Sequence, residues 1–363
     1  ALFAFVLLPF LGLTYTPVLI GSFNLLVASL ILWYFPDRLT RPRILNAQFV
    51  ALFLVSVLAF AVAKPIILYG EQHKYKDKII YQEQTRYQKI VVTQWKDDYW
   101  LFINGSTQFS TYDEERYHEP LVHPLMGLIK ERKDILLLGG GDGLAAREIL
   151  KYPDLENLTL VDLDPAMTRL ARQDKVFLGI NQGSLNDPRV RVVNQDAYQF
   201  IKKSGDLYDA IIIDLPDPKS VSLSLLYSLG FYKMVEKHLK PFGSMVTQST
   251  SPLYSPEAFL CIKKTMEAAG FSTIPYQNSV PSMGQWGWVL GVRQKTMPAQ
   301  RLKQELLTLE FADIETRFFN RDAMISMAHF GKGLFEKEAQ IEPNTQFDHN
   351  IIKYYRQGNW DVY

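Results

Sequence analysis

The stretch Asp134–Asp164, "DILLLGGGDGLAAREILKYPDLENLTLVDLD", decides the fold. An apolar run enters a glycine cluster, an amphipathic segment follows, and a second apolar run ends at Asp162. That is strand, tight turn, helix, strand. The alternation continues outward. "RVRVVNQD", "YDAIIIDL" and "GSMVTQS" read as strands, and helical patterns cover Pro165–Leu178, Ala197–Lys203, Leu225–Leu239 and Pro256–Ala269. Apolar strands alternating with amphipathic helices imply an α/β fold, a parallel sheet with helices on both faces. In such sheets ligands bind at the carboxyl ends of the strands. Gly139, Gly141, Asp142, Asp162, Asp196 and Asp214 all follow strands and are expected along one rim.

The stretch Ile211–Pro218, "IIIDLPDP", sharpens this expectation. Three β-branched residues deliver Asp214 from a buried strand, and two prolines restrict the loop that carries Asp217. The lettering Gly141-x-Gly143-x-x-Ala146 fits a dinucleotide fingerprint, but Asp142 would repel a pyrophosphate there. Asp162, about twenty residues on, suits a ribose diol. Asp196 could accept from an adenine amino group. A positively charged nucleoside without phosphates fits this rim better than a dinucleotide does. S-adenosylmethionine or a derivative is therefore expected, on a Rossmann-like, doubly wound sheet of the S-adenosylmethionine methyltransferase type. Acids at 142 and 214 would repel the carboxylate of the intact ligand and attract the ammonium and sulfonium of its decarboxylated form.

Composition removes other classes. A formal net charge of +1 gives no basis for nucleic-acid binding. One cysteine, Cys261, and six histidines without ligand spacing give no basis for a disulfide framework or a metal site. Pro17–Phe35 and Ile44–Ala63 carry no charge, and each is about twenty residues, the length that crosses a bilayer. Between them lies "PDRLTRPR", whose Arg38, Arg41 and Arg43 suit lipid headgroups. Lysines after the second run balance these arginines, so charge does not fix the topology. The apolar start "ALFAFVLLPFLG" reads as the end of an earlier helix, which implies a larger membrane domain before it. The expected organisation is a transmembrane segment over 1–70, a small β-hairpin domain over 71–113, the Rossmann-like domain over 114–296 and a helical tail over 297–363. A helix is expected from Pro120 to Lys130. The tail carries no readable motif, so packing or oligomer contacts are its expected role.

Taken in order, "RYQKIVV", "NGSTQFSTYDEERYHEPLVHP", "ILLLGGGDG", "LVDLDP", "YDAIIIDLPDP" and "VPSMGQWGW" resemble the spermidine synthases, or polyamine aminopropyltransferases. The resemblance spans about Tyr81 to Val292, and the spans in front look like a membrane-attached bacterial branch. It implies transfer of an aminopropyl group from decarboxylated S-adenosylmethionine, as co-substrate, to an amine such as putrescine. Asp214 would take the amine's proton, assisted by Tyr117. Gln88, His118, Gly139, Gly141, Asp142, Asp162 and Asp196 would hold the donor. Asp217, Gln248 and Gln108 would line the acceptor groove. Three departures lie on the acceptor side: Lys219 where the family is uncharged, Met283 where it has tyrosine, and Ser249-Thr250 where an acid often stands. The rivals are a methyltransferase on the same fold and a non-catalytic membrane sensor of a nucleoside or polyamine. A homodimer or tetramer is expected by analogy. The donor's cytosolic origin implies an inner-membrane protein with its catalytic domain in the cytoplasm.

Overall fold

A computed structural model describes residues 8–35 and 41–360. Arg38 and the opening residues 1–7 lie outside these. The chain divides into two compact units, residues 1–82 with 92–97, and residues 83–91 with 98–363.

The first unit holds two long helices, α1 (Leu8–Tyr34) and α2 (Pro42–Gln72), and most of strand β1 (Lys78–Gln84). Among the described residues, Tyr15–Tyr34 and Arg43–Val62 are long and apolar enough to cross a membrane. The two helices touch where Tyr15 and Phe60 pack at 5.1 Å. Elsewhere Phe23, Leu26, Leu54 and Val55 stay more than half exposed, which a water-facing helix does not tolerate along its length. No linker follows position 70. Gln72 accepts from Ile79 N at 3.0 Å and donates to Asp77 O at 2.8 Å, so α2 runs on and is bonded into the start of β1. The boundary between units passes through β1 and β2 (Lys89–Trp95) instead of isolating 71–113 as a domain.

In the second unit β3 (Asp98–Ile103) and β4 (Ser106–Ser110) form an antiparallel hairpin around Asn104-Gly105. Both turn residues have positive φ, as the turn of a tight hairpin requires. Helix α3 (Glu115–Leu128) follows. Then come β5 (Asp134–Gly139), α4 (Leu144–Ile149), β6 (Asn157–Asp162), α5 (Pro165–Gln173), α6 (Lys175–Asn181) and β7 (Val190–Asn194). The next elements are α7 (Ala197–Lys203), β8 (Tyr208–Asp214), α8 (Val221–Leu225), α9 (Leu229–Lys237), β9 (Leu239–Gln248) and α10 (Pro256–Ala268). The hairpin β10 (Phe271–Val280) and β11 (Gly284–Arg293) precedes the tail helices α11 (Ala299–Thr308), α12 (Arg321–Met327) and α13 (Asn350–Arg356).

Seven strands make one sheet in the order β10-β11-β9-β8-β5-β6-β7. The pairs from β9 to β7 are parallel, as their buried apolar runs require. The β10–β11 hairpin extends the sheet antiparallel, so the sheet is mixed. The expected helix Pro165–Leu178 is two helices, because Asp174 leaves the helix and caps α6 by accepting from Val176 N and Phe177 N.

Helix α3 begins five residues before Pro120 and carries Pro120 and Pro124 in its interior. Each proline lacks the N–H that would bond to the carbonyl four residues back. Those carbonyls are taken from outside. Asn278 Nδ2 donates to Arg116 O at 2.8 Å, and Tyr276 OH donates to Pro120 O at 2.9 Å. Two side chains of β10 thus make the proline helix possible, which a propensity reading cannot foresee. Glu119 on the same helix accepts from the backbone N–H groups of Arg317, Phe318 and Phe319 at 2.7–2.9 Å, tying it to the tail.

Replacing Tyr276 with Phe leaves a buried carbonyl unsatisfied and is expected to cost about 1–3 kcal/mol. Thermal melting of the purified variant measures this. An unchanged midpoint would mean that Pro120 O does not need its partner.

Candidate active site

The strand order reverses between β5 and β8, where open α/β sheets place ligands. Gly139 pairs with Asp214 across that switch point. Its φ is 86°, and a Cβ there would run into the Asp214 carbonyl oxygen, so only glycine fits. Gly141 approaches the next acid as closely. Its N–H donates to Asp162 Oδ2 at 3.1 Å, and a Cβ would stand 2.5 Å from that oxygen.

Asp214 ends β8 half-buried, and Tyr117 of α3 donates to its Oδ1 at 2.6 Å. Burial pushes the Asp214 carboxyl up to about 6, with Asp142 adding to the rise while His118 and the Tyr117 hydrogen bond oppose it. Tyr117 itself is pushed well above its usual value by burial and by Asp214, so it remains a donor. His118 lies beside it, buried, with Nδ1 at 3.0 Å from Glu114 Oε2. Burial alone would lower its pKa. Glu114, Asp142 and Asp214 override that and raise it to about 9, giving an imidazolium. Glu114 in turn accepts from Arg147 at 2.8 and 3.0 Å. The charge sequence from the back of the site to the front is therefore Arg147, Glu114, His118, then the carboxylates of the rim.

At the end of β6, Asp162 accepts from Asp164 N at 2.9 Å through Oδ1 and from Gly141 N through Oδ2. Both oxygens are fixed, and each keeps a second lone pair for a hydroxyl. Burial, then Asp142 and Asp164, raise its carboxyl to about 6 against those two hydrogen bonds. Asp142 Oδ1 accepts from Leu144 N at 2.8 Å, holding the turn. Asp196 is exposed and serves as N-cap of α7, accepting from Gln199 N at 2.8 Å. Gln88 sits half-buried in a turn pinned by Thr85, whose hydroxyl donates to Asp164 Oδ2 at 2.7 Å.

The surroundings of Asp217 are more heavily engaged by the fold. Gln248 is buried, and its amide donates to Leu215 O and Tyr227 OH, both at 2.6 Å, and weakly to Asp217 at 3.4 Å. Its oxygen accepts from Thr250 N at 2.9 Å and Trp286 Nε1 at 3.2 Å. This amide is saturated by the protein and shapes the loop of Asp217 from behind. Gln108 turns back onto its own strand, donating to Ser106 O and Thr107 O. Trp286 and Trp288 stand 6.4 and 5.5 Å from the Tyr117 ring and form its aromatic wall. Met283 is buried close by in sequence.

Sequence reasoning missed Tyr355. This residue of α13 donates to Asp217 Oδ2 at 2.9 Å from 138 positions away. Tyr227, whose hydroxyl donates to Leu215 O at 2.9 Å, was missed as well. No motif announces either residue. The structure thus joins Tyr117, His118, Asp142 and Asp214 in one charge cluster. It holds Asp217 in a second cluster with Gln248 and Tyr355, and uses Asp196 and Gln108 locally. Among the described residues no group of three or more His, Cys, Asp or Glu could hold a metal ion.

Comparison with known proteins follows this geometry. Residues 114–304 match the spermine/spermidine synthase domain. A polyamine aminopropyltransferase of Oceanobacillus iheyensis is 39% identical over 367 residues, covering 100% of this chain and 69% of that protein. Polyamine aminopropyltransferase 2 of Aquifex aeolicus is 40% identical over 358 residues, covering 98% of this chain and 69% of that protein. A crystal structure of spermidine synthase in complex with the transition state analogue AdoDATO aligns with a TM-score of 0.64 at 24% identity. That alignment covers 73% of this chain and 89% of the other. The spermidine synthase of Thermotoga maritima aligns with a TM-score of 0.63 at 24% identity, covering 73% and 88%. At that identity the two structures speak for the fold, and the family match and the sequence relatives for kinship: the chain belongs to the spermine/spermidine synthase family.

Proposed function

We infer that the protein is a polyamine aminopropyltransferase, moving the aminopropyl group of decarboxylated S-adenosylmethionine to an amine and releasing methylthioadenosine. The observation that carries the reading is the Asp214 carboxylate at the switch point, oriented by Tyr117 at 2.6 Å. A primary amine has a pKa of about 10.4 and arrives as an unreactive ammonium. Asp214 accepts its proton as attack begins, and burial makes that carboxylate a stronger base than an exposed one. The amine lone pair forms the new C–N bond while the C–S bond breaks. Its electron pair returns to sulfur, which becomes a neutral thioether, so no acid is needed for the leaving group. Tyr117 holds the carboxylate at the angle that aligns amine and carbon, which must approach to roughly 3–3.5 Å.

For the donor, Asp162 is proposed to hold the ribose hydroxyls and Asp196 the adenine amino group. Gln88, His118, Gly139, Gly141 and Asp142 would surround the aminopropyl and methylthio end. Asp142 and Asp214 together disfavour the carboxylate of intact S-adenosylmethionine, which speaks against a methyltransferase. For the acceptor, Asp217 would face the amine, with Gln248 and Gln108 as positioning residues. The apolar outer faces of α1 and α2 support anchorage in a bacterial inner membrane, with Arg41 and Arg43 at the headgroups and the catalytic unit in the cytoplasm, where the donor is made. Self-association as a dimer or tetramer belongs to the same reading. Protease protection in sealed right-side-out vesicles tests the orientation: a catalytic unit cleaved by added protease would overturn it.

Asp214→Asn is expected to lower turnover at least 100-fold while donor binding, followed by calorimetry, changes little. Retained turnover would remove Asp214 from the chemistry. The same change has an opposite effect on stability. A carboxyl whose folded-state pKa lies above its unfolded value favours the protonated form, so stability is lost as pH rises from about 4 to about 6. Asn removes that cost and is expected to stabilise the ligand-free protein at pH 7 by on the order of 1–2 kcal/mol. Thermal melts at pH 5 and pH 7 read it, with a larger gain at pH 7.

Turnover of the unaltered protein is expected to rise with pH through about 6, as Asp214 ionises. A rate that stays flat between pH 5 and pH 7 would contradict Asp214 as the base.

A further inference from the structure

We propose that Tyr355 is a positioning residue for the amine acceptor: from the C-terminal tail it holds Asp217 as a fixed carboxylate for the amine's ammonium, so that the tail is part of the acceptor site. This rests on the aminopropyltransferase reading, in which Asp217 faces the amine. Asp217 sits half-buried between Pro216 and Pro218, in the loop that leaves β8. Tyr355 OH donates to its Oδ2 at 2.9 Å, and Gln248 reaches Oδ1 weakly at 3.4 Å. The tyrosine makes the shorter bond, and the oxygen it fixes keeps a second lone pair for an ammonium. Donation to a carboxylate also favours its ionised form, which is the form that attracts a cation. Burial raises the Asp217 carboxyl, and the Tyr355 hydrogen bond is among the contacts that oppose the rise.

The hydroxyl is placed by more than its own helix. Buried Asn344 donates through Nδ2 to Ser224 O at 2.8 Å and Tyr227 O at 3.1 Å, and its carbonyl accepts from Leu229 N at 2.8 Å. His349 Nδ1 lies 2.6 Å from Ser224 Oγ. Ser224 belongs to α8, the helix after the Asp217 loop, and Tyr227 OH returns to the start of that loop at Leu215 O. Loop and tail are thus one bonded unit. Ile351 is buried, and the Tyr355 ring stacks on Trp360 at 4.5 Å. Packing of the tail uses that ring and Ile351. It does not use a hydroxyl aimed at a half-buried acid.

The test is Tyr355→Phe, which removes the hydroxyl and keeps the ring on Trp360. With 1,4-diaminobutane as acceptor and methylthioadenosine release as readout, KM for the amine is expected to rise about tenfold, as loss of one hydrogen bond to a charged group allows. The kcat, the thermal midpoint and the calorimetric affinity for the donor should stay near their original values. In an Asp217→Asn background the same change should add less than a further twofold or so, because the ion that the hydroxyl supports is gone. An unchanged KM would overturn the proposal, as would a tenfold rise that recurs in full in the Asp217→Asn background. A rise in KM matched by lost donor affinity and a lower melting point would overturn it too, by assigning Tyr355 to packing. All three outcomes leave the transferase reading intact. Unaltered protein that binds the donor yet releases no methylthioadenosine with any amine would overturn both.

Discussion

The hydrogen bond from Tyr117 to Asp214 is the constraint on which the site depends. It spans 97 positions and joins a helix lying before the parallel sheet to the central strand of that sheet. For it to form, β8 must deliver Asp214 at the switch point, Gly139 must lack a side chain, and α3 must hold its proline-containing turns. Each condition is met by a different part of the chain. The aromatic wall of Trp286 and Trp288 then fixes the Tyr117 ring from the β11 side.

Charge at the rim is arranged at some expense of stability. Asp162 and Asp214 are each pushed to about 6 by burial, so both ionise only against a cost. Behind them His118 is kept positive, and Glu114 and Arg147 complete an alternating row. Such a row lets a cation approach the front carboxylates without leaving an uncompensated charge in the interior. Asp162 is rigid for a different reason: two backbone N–H groups grip its oxygens.

Much of the sheet was legible because its evidence is local. Apolar runs ending in Gly139, Asp162 and Asp214 name the strands and the rim, and the structure puts all three at strand ends. The two apolar runs near the start are likewise helices. What stayed hidden depends on distant partners. Pro120 looks like a helix start until Asn278 and Tyr276 are seen taking the carbonyls that Pro120 and Pro124 leave bare. The tail has no motif, yet it delivers Tyr355 to Asp217. Gln248 reads as a groove residue by type, but its amide is consumed by Leu215, Tyr227, Thr250 and Trp286. Composition cannot distinguish a glutamine that faces a ligand from one that braces a loop.

The dependence of α3 on β10 also orders events during synthesis. The strands that carry Gly139, Asp162 and Asp214 leave the ribosome before residues 276 and 278 exist. Until those two side chains arrive, the helix bearing Tyr117 has bare carbonyls and little reason to persist. A nascent chain can therefore assemble the strand-end carboxylates early, while the Tyr117–Asp214 pair waits for the hairpin. A chain cut short before β10 would keep Asp162, Asp214 and Tyr117 but lack the two side chains that support the tyrosine's helix.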